Sequence, residues 1–331
     1  MRASWTKLAL AAATLIVLAG GVAILSSGSE EPNGKGPSDS KSPAPAQPPE
    51  QPSFVLSGST NIYTIDVATR ALEQLTTNDD DQLASDPVWS AKGGIVFSEE
   101  SSPEEPPRLL LVNPDGSGKR KVPTRISGLF QPSWAPDGRK VAVARFGSGI
   151  HVLDVRTGSV RRLKRTSEID DAPVWSPDGK TIVFQRRVTG TNWELYRIEP
   201  TGRGLRRLTR DPLQQINPAW SPDSSRLAFA EQQRTGNWAI STMKIDGSDR
   251  KLLTDPRLSR QNPAWSPDGK KIALVLQESL RDSLAVIDAD GGRPMRLTPR
   301  SLVAPTNPFW SPDGKKIVFA AHRAERPPPG S

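Results

Sequence analysis

Few side chains in this sequence could carry out covalent or acid–base chemistry. The 331 residues include no cysteine and only two histidines, His151 and His322, which share no motif. Nucleophilic catalysis needs a reactive side chain beside a base that activates it. The sequence also lacks the G-x-S-x-G motif that presents a catalytic serine. We therefore predict that the protein is not an enzyme.

Side chains that could bind a ligand are more numerous. Asp86 and Asp171 supply carboxylates, and Asn217, Asn262 and Asn307 each stand directly before a proline that is predicted to open an innermost strand, at the mouth of a channel. Carboxylate and amide oxygens can coordinate hard cations, but an asparagine can also cap nearby backbone groups, which we favour here. The acidic run 78–81 lacks the glycine and the distant glutamate of a calcium loop. No cofactor is therefore predicted, and calcium is the metal to test.

Two tryptophans, Trp193 and Trp238, stand at the start of predicted strands and could stack on a sugar or peptide ring. Packing against neighbouring strands is the simpler interpretation, because an indole buries a large apolar area. With the two aspartates and the three asparagines, they form the predicted set of partner-binding residues.

A repeat must position these residues, and tryptophan marks it. At intervals of 41 or 45 residues, a tryptophan is followed by a turn-like tetrapeptide and an apolar run. The six tryptophans are Trp89, Trp134, Trp175, Trp220, Trp265 and Trp310. Repeats of this length built from short strands are typical of propeller blades. We predict a six-bladed β-propeller in which these tryptophans pack between blades as structural residues.

The commonest turn sequence, Ser-Pro-Asp-Gly, explains how each blade begins. Proline presets the second turn position, and glycine takes the left-handed conformation that closes a tight hairpin. Two turns depart from it, since 90–93 lacks the Pro-Asp pair and Ser224 replaces the glycine. We expect both hairpins to form nevertheless.

The ends of the repeat region predict how the ring closes. A pair of strands in 61–76 precedes the first hairpin, while the last hairpin, 307–321, has no strands after it. Joined together, they would complete one blade and remove two exposed sheet edges. Residues 54–57 could add another strand, which the pattern does not position.

The repeat resembles that of the TolB-like propeller family. The resemblance is carried by the unit P-x-W-S-P-D-G-K-x-I-[AV]-F, by G-N-W-A-I-S-T-M-K-I-D-G-S from Gly236, and by R-R-L-T from Arg206. It extends over about 61–321 and implies an all-β, TolB-like six-bladed propeller. The same repeat occurs in periplasmic proteins of the Tol-Pal system and in prolyl-oligopeptidase-like enzymes, so it implies a fold more than a function.

The amino-terminal residues predict export. Arg2 and Lys7 precede an uncharged apolar stretch, 8–25, which is long enough to insert into a membrane as a helix. The predicted organisation is a signal peptide or signal anchor (1–25), a disordered Pro/Ser/Gly-rich linker (26–53), the propeller (54–322) and a disordered tail (323–331). The protein would be extracytoplasmic, either membrane-anchored or secreted.

Charge distinguishes the two faces of the predicted disc. The formal net charge is +8, and lysines and arginines cluster in the turns between the first and second and between the third and fourth strands. The other face collects Glu99, Glu100, Asp170 and further acidic residues, so we expect it to be mildly acidic. No nucleic-acid-binding signature accompanies the basic charge. The cationic turns would either maintain solubility or contact an anionic surface.

The second-to-third loops, which differ most between repeats, indicate where a partner would bind, since recognition usually resides on loops held by a rigid scaffold. We predict a non-enzymatic, monomeric binding or scaffold module that engages a protein or cell-envelope partner through this face. The alternative is a metal-dependent hydrolase or lactonase whose channel site would use Asp86, Asp171 and the three asparagines.

Overall fold

A computed structural model describes residues 59–79, 82–102, 104–278, 281–299 and 301–323. The predicted signal segment, the linker, the segment 54–57 and nearly all of the predicted tail lie outside these residues. Within the described ranges no helix is long and apolar enough to span a membrane. The described elements are all β-strands, in agreement with the predicted all-β fold.

The described residues form 24 strands, numbered β1 to β24 along the chain. Blades 1 to 5 each contain four consecutive antiparallel strands. In order, these strands are Leu83–Ser90, Gly94–Glu100, Arg108–Val112 and Arg120–Lys121; Leu129–Trp134, Lys140–Arg145, Gly149–Asp154 and Val160–Arg162; Asp170–Trp175, Ile182–Thr189, Asn192–Ile198 and Arg206–Arg207; Gln215–Trp220, Arg226–Gln232, Trp238–Lys244 and Lys251–Leu252; Ser259–Trp265, Lys271–Gln277, Ser283–Asp288 and Met295–Arg296.

Blade 6 joins the two ends of the described chain. Its strands are β23 (Leu302–Trp310), β24 (Lys316–Arg323), β1 (Thr60–Asp66) and β2 (Leu72–Gln74), in that spatial order. The register between β1 and β24 runs without interruption from Thr60 opposite His322 to Asp66 opposite Lys316. The predicted closure and the six-bladed architecture are therefore confirmed.

The hairpin turns behave as the sequence predicts. The turn glycines adopt φ values of 67° to 76°, and Ser224 adopts φ 60° in the same place. The shortened turn 90–93 also forms a hairpin, with Ser90 opposite Gly94. The turns of neighbouring blades touch, because a Cβ on Gly179 would lie 3.2 Å from Pro136 Cγ. All six turns thus share one side of the disc, which we call the hairpin face, and the opposite side is the loop face.

Six clusters of buried apolar side chains hold the ring together, one between each pair of adjacent blades. Each repeat tryptophan contacts the cluster between its own blade and the preceding one. Alternate tryptophans differ, however. Trp134, Trp220 and Trp310 are buried, and their indole N–H groups donate to backbone carbonyls of the preceding blade at 3.0 to 3.1 Å. Trp89, Trp175 and Trp265 are only half-buried.

The R-R-L-T segment of blade 3 completes its outer edge with an ion pair between the buried Glu194 and the partly exposed Arg207. Thr209 accepts a hydrogen bond from the Leu195 backbone N–H and donates one to the Glu194 carboxylate. The Glu194 side chain is fully buried and also accepts from Arg207. A buried carboxylate needs such partners, because its desolvation otherwise costs several kcal/mol.

Replacing Arg207 with alanine should therefore destabilise the protein markedly. Removing one partner of a fully buried pair typically costs about 3–5 kcal/mol. Arg207 is 30% exposed, and Glu194 keeps its bonds from Thr209 and the Asp211 backbone N–H. We therefore expect a decrease in the free energy of unfolding near or below the lower end of this range by urea titration. The neighbouring Arg206 side chain is exposed, so Arg206→Ala is the matched control and should change stability by less than about 0.5 kcal/mol. Equal effects of the two substitutions would contradict a structural role for the pair.

Candidate functional site

The innermost strands of the six blades surround a central channel, and each is interrupted at the same place. The residue before the proline of each repeat has a positive φ between 46° and 53°. These residues are Asp86, Gln131, Ala172, Asn217, Asn262 and Asn307. The strand register shifts at each of these positions, which identifies a β-bulge in each strand.

Positive φ is uncommon for residues other than glycine, and asparagine and aspartate tolerate it best. This preference accounts for four of the six residues, namely Asp86 and the three asparagines. The sequence interpretation placed Asn217, Asn262 and Asn307 where the innermost strands begin, at a channel mouth. Instead, all three lie inside strands, because β15, β19 and β23 begin two or more residues earlier, at Gln215, Ser259 and Leu302.

Hydrogen bonds between the residues at these bulges link neighbouring blades. The Asn262 side-chain amide donates to the Asn307 carbonyl oxygen, and the Asn307 amide donates to the Asp86 carboxylate. The Asp86 carboxylate also accepts from the Gln131 backbone N–H. Two of the asparagines therefore bond to other side chains rather than capping backbone groups.

Glutamine side chains cap the backbone instead. Gln131 Oε1 accepts from the Ala172 backbone N–H at 2.8 Å, and Gln185 Oε1 accepts from the Asn217 backbone N–H at 2.9 Å. Neither glutamine was among the predicted site residues. Aligning the repeats on the residue before proline would have found Gln131, whereas Gln185 stands where the other blades carry serine, alanine or valine.

Asp86 and Asp171 are the acidic groups of the channel. Desolvation by the surrounding protein raises the pKa of Asp86 from its ordinary 3.8 to about 6, even though hydrogen bonds from Ser85 and the Gln131 backbone act in the opposite direction. Desolvation likewise raises the pKa of Asp171 to about 7; a hydrogen bond from the Gln185 side chain opposes this rise, and the Asp170 and Asp86 carboxylates add to it. One oxygen of Asp171, Oδ1, is buried without a hydrogen-bond partner.

The two candidate tryptophans have different surroundings. Trp238 is buried in the cluster between blades 4 and 5. Trp193 is half-buried, and the Arg187 guanidinium lies 5.8 Å from its ring centroid. The positive charge of Arg187 also lowers the pKa of Asp171. The Arg187 guanidinium therefore interacts both with the Trp193 ring and with the Asp171 carboxylate of the channel. The sequence analysis did not propose Arg187 as a site residue.

The acidic character of the loop face is weaker than predicted. Glu99 is buried and paired with Arg108 and Lys119, and Asp170 is buried and paired with Arg186. Neither carboxylate contributes to the exposed charge of this face. Exposed acidic groups in the described loops include Glu104, Glu105 and Glu168.

The channel offers limited metal-binding chemistry. Among the described residues, no group of three or more histidine, aspartate or glutamate side chains is arranged to hold a metal ion. The Asn307 carbonyl oxygen, which a metal would need, already accepts a hydrogen bond from Asn262.

Comparison with known proteins gives a consistent assignment. The TolB beta propeller domain model matches residues 101–261. The Tol-Pal system protein TolB of Anaeromyxobacter dehalogenans is 32% identical over 106 residues, which cover 31% of this chain and 24% of that protein. The chain thus spans about a quarter of the length of the curated relatives that it matches.

Solved structures share the fold. A candidate TolB from Agrobacterium tumefaciens superimposes with a TM-score of 0.69 at 23% identity, covering 82% of this chain and 99% of that one. An oligogalacturonate lyase from Vibrio parahaemolyticus also superimposes, with a TM-score of 0.52 at 13% identity over 80% of this chain and 83% of that one. The fold alone therefore does not decide between binding and catalysis. The repeat, the ring closure and the domain match together show that the chain folds as a TolB-like β-propeller, with the family model matching just under half of its length.

Proposed function

We propose that this protein is a non-enzymatic, extracytoplasmic binding module. A protein or cell-envelope partner would dock on the loop face and present a cationic or hydrogen-bond-donating group to Asp86 and Asp171. A lysine or arginine side chain or a free amino group has the required chemistry. The apolar segment 8–25 would deliver the propeller to the extracytoplasmic side and could hold it at the membrane, with the propeller acting as a monomer.

The observation that carries this proposal is the unfavourable state of the two channel carboxylates. Their raised pKa values mean that the fold disfavours their charged forms, and Asp171 has one buried oxygen, Oδ1, without a partner although Gln185 bonds to its carboxylate. Side chains kept in such an environment reduce stability, and functional sites are where proteins commonly retain them. A donor group from a partner would supply the missing hydrogen bond and the opposite charge.

The relatives give this proposal a second support. Several curated relatives are named for the Tol-Pal system, and a partner-binding role for this chain would be consistent with that name. The hydrolase or lactonase alternative has no comparable support in the bonding of the channel side chains.

Site-specific photocrosslinking in the source cell would test the docking face. A photoreactive amino acid at Arg234, which is exposed in a loop-face connection, should produce a discrete crosslinked species. The same amino acid at Lys270, in a hairpin turn, is the matched control and should not. Combining Asp86→Asn with Asp171→Asn should weaken the Arg234 crosslink at least severalfold, because the partner would lose its charged contacts. Crosslinking at Lys270 alone, or an Arg234 crosslink unchanged by the double substitution, would refute the proposed site.

A further inference from the structure

A crevice of about 640 Å³ opens on the hairpin face between blades 4 and 5. Trp265 and Leu253 provide its apolar surface, and Thr242, Arg226, Lys251 and Asp268 are among its polar lining residues. This volume lies within the range of small-molecule binding sites, about 300–1,000 Å³. The crevice is separate from the channel residues described above.

A small residue stands just after the third strand of blade 5; the other odd-numbered blades, 1 and 3, carry Pro114 and Pro200 at the matching position. Ala289 follows the third strand of blade 5 and lines the crevice. At the same position of the even-numbered blades, the repeat carries Val155, Ile245 and Val67, whose side chains pack into the clusters shared with the preceding blade. Alanine is too short to fill the equivalent space between blades 4 and 5.

Because of this space, Leu253 is less buried than its equivalents in the other blades. The residues at its position in the other five blades are buried, with exposed fractions of at most 9%; they are Leu75, Val122, Leu163, Leu208 and Leu297. Leu253 is only half-buried. An apolar side chain that the same repeat covers everywhere else is therefore partly open at this one interface.

The indole N–H of Trp265 also lacks a hydrogen-bond partner. The indole N–H of Trp310 donates to the preceding blade, and that of Trp175 donates to the Gly179 carbonyl of its own turn at 3.2 Å. The indole nitrogen of Trp265 is buried without a partner, although Trp265 itself is half-buried and lines the crevice. A buried donor without a partner costs about 1–3 kcal/mol, which a ligand oxygen could recover through a small rotation of the ring.

The charges of the lining select the kind of ligand. Arg226 and Lys251, both paired with Asp249, supply hydrogen-bond donors. Asp223 and Asp268, which also accept hydrogen bonds within their own turns, and Asp290 supply acceptors. A ligand of either net charge would meet like charges within the crevice, so a neutral molecule that both donates and accepts is favoured. The accessible part of the half-buried Trp265 indole favours a ligand with one apolar face. A sugar ring combines these properties, with hydroxyl groups around its edge and C–H groups on its faces.

From these features, we propose that the crevice between blades 4 and 5 binds a neutral saccharide. Trp265 packs against the sugar ring and its N–H donates to a ring or hydroxyl oxygen. Arg226, Lys251 and the aspartates exchange hydrogen bonds with the hydroxyl groups.

Ligand-observed NMR on the full chain with glucose, maltose and chitobiose would test the site. We expect saturation transfer from the protein to at least one of these sugars. Ala289→Ile copies the residue of blade 4 and should fill the crevice, weakening binding by about tenfold or more. Ile245→Val, at the same position of blade 4, is the matched control and should leave binding unchanged.

A second substitution keeps the test decisive if Ala289→Ile perturbs folding. Trp265→Phe removes the N–H donor and part of the aromatic surface, and should weaken sugar binding at least severalfold while the protein still melts cooperatively. No saturation transfer to any of the three sugars at 20 mM, or binding unaffected by both substitutions, would overturn the proposal. Failure of the crosslinking experiment on the loop face would have no bearing on this crevice.

Discussion

Ending the chain at Lys315 should abolish cooperative folding. This truncation removes β24, the strand between β23 and β1 in blade 6. Five consecutive side chains of β24, from Ile317 to Ala321, are completely buried. Burial of each large apolar side chain contributes about 1.5–3 kcal/mol, and the open ring would also expose two unpaired strand edges. A domain whose free energy of unfolding is about 5–15 kcal/mol does not remain folded after that loss.

Thermal and urea unfolding, followed by far-UV circular dichroism and tryptophan fluorescence, would measure the effect. A chain ending at Arg323 keeps all 24 described strands and is the matched control, with an expected single transition close to that of the full chain. If the chain ending at Lys315 also unfolded in one sharp transition at a similar temperature, the ring closure would not be the main source of stability.

The fold could be predicted because its signals are local and repeated. Tryptophan, proline, aspartate and glycine recur in a fixed order, and each has a defined conformational role in a short hairpin. The orphan strands at the two ends could be matched because a propeller with an open edge is unfavourable. The predicted third strands, such as 62–67 and 284–289, agree with β1 and β21 to within one or two residues.

The bulges were harder to predict, since a residue before proline is usually extended. Here Asn217, Asn262 and Asn307 take positive φ values instead. Their hydrogen bonds also depend on the distance between blades, which no single repeat encodes. The bond between the Asn262 and Asn307 side chains joins residues in different blades, so only the closed ring brings them together.

The candidate site could be predicted in part. Asp86, Asp171 and the three asparagines were recognised by residue type, and the structure brings Asp86 and two of the asparagines into one hydrogen-bonded chain. The contributions of Gln185 and Arg187 arise from the second strand of blade 3, where the repeat gives no reason to expect them. The crevice was missed because Ala289 matters only through the volume that it leaves empty beside the preceding blade.

Replacing both channel aspartates with asparagine should stabilise the protein at neutral pH. The folded state raises the pKa of Asp86 from 3.8 to about 6 and that of Asp171 to about 7. Each pKa unit corresponds to about 1.4 kcal/mol, so the two shifts together lower the free energy of unfolding at pH 8 by several kcal/mol. Asparagine keeps the size of the side chain and removes this cost.

The sign of the pH dependence distinguishes this explanation from a general effect of charge. Between about pH 4 and pH 7, the folded protein binds more protons at these two groups than the unfolded chain does, so its stability falls as the pH rises. The pKa of His151 is lowered by burial, which gives a dependence of opposite sign below its ordinary value of 6.5. Comparing the two proteins at each pH cancels the histidine contribution.

Urea unfolding of the wild type and the double variant at pH 5, 6, 7 and 8 would therefore give a stability difference that grows with pH. Glu104→Gln combined with Glu105→Gln removes two exposed charges from the same face and should not produce this trend. A constant difference across the pH range would contradict the proposed desolvation of Asp86 and Asp171. A growing difference would mean that the charged carboxylates of Asp86 and Asp171 destabilise the folded protein at neutral pH. A cationic group of a partner would then offset this destabilisation on binding.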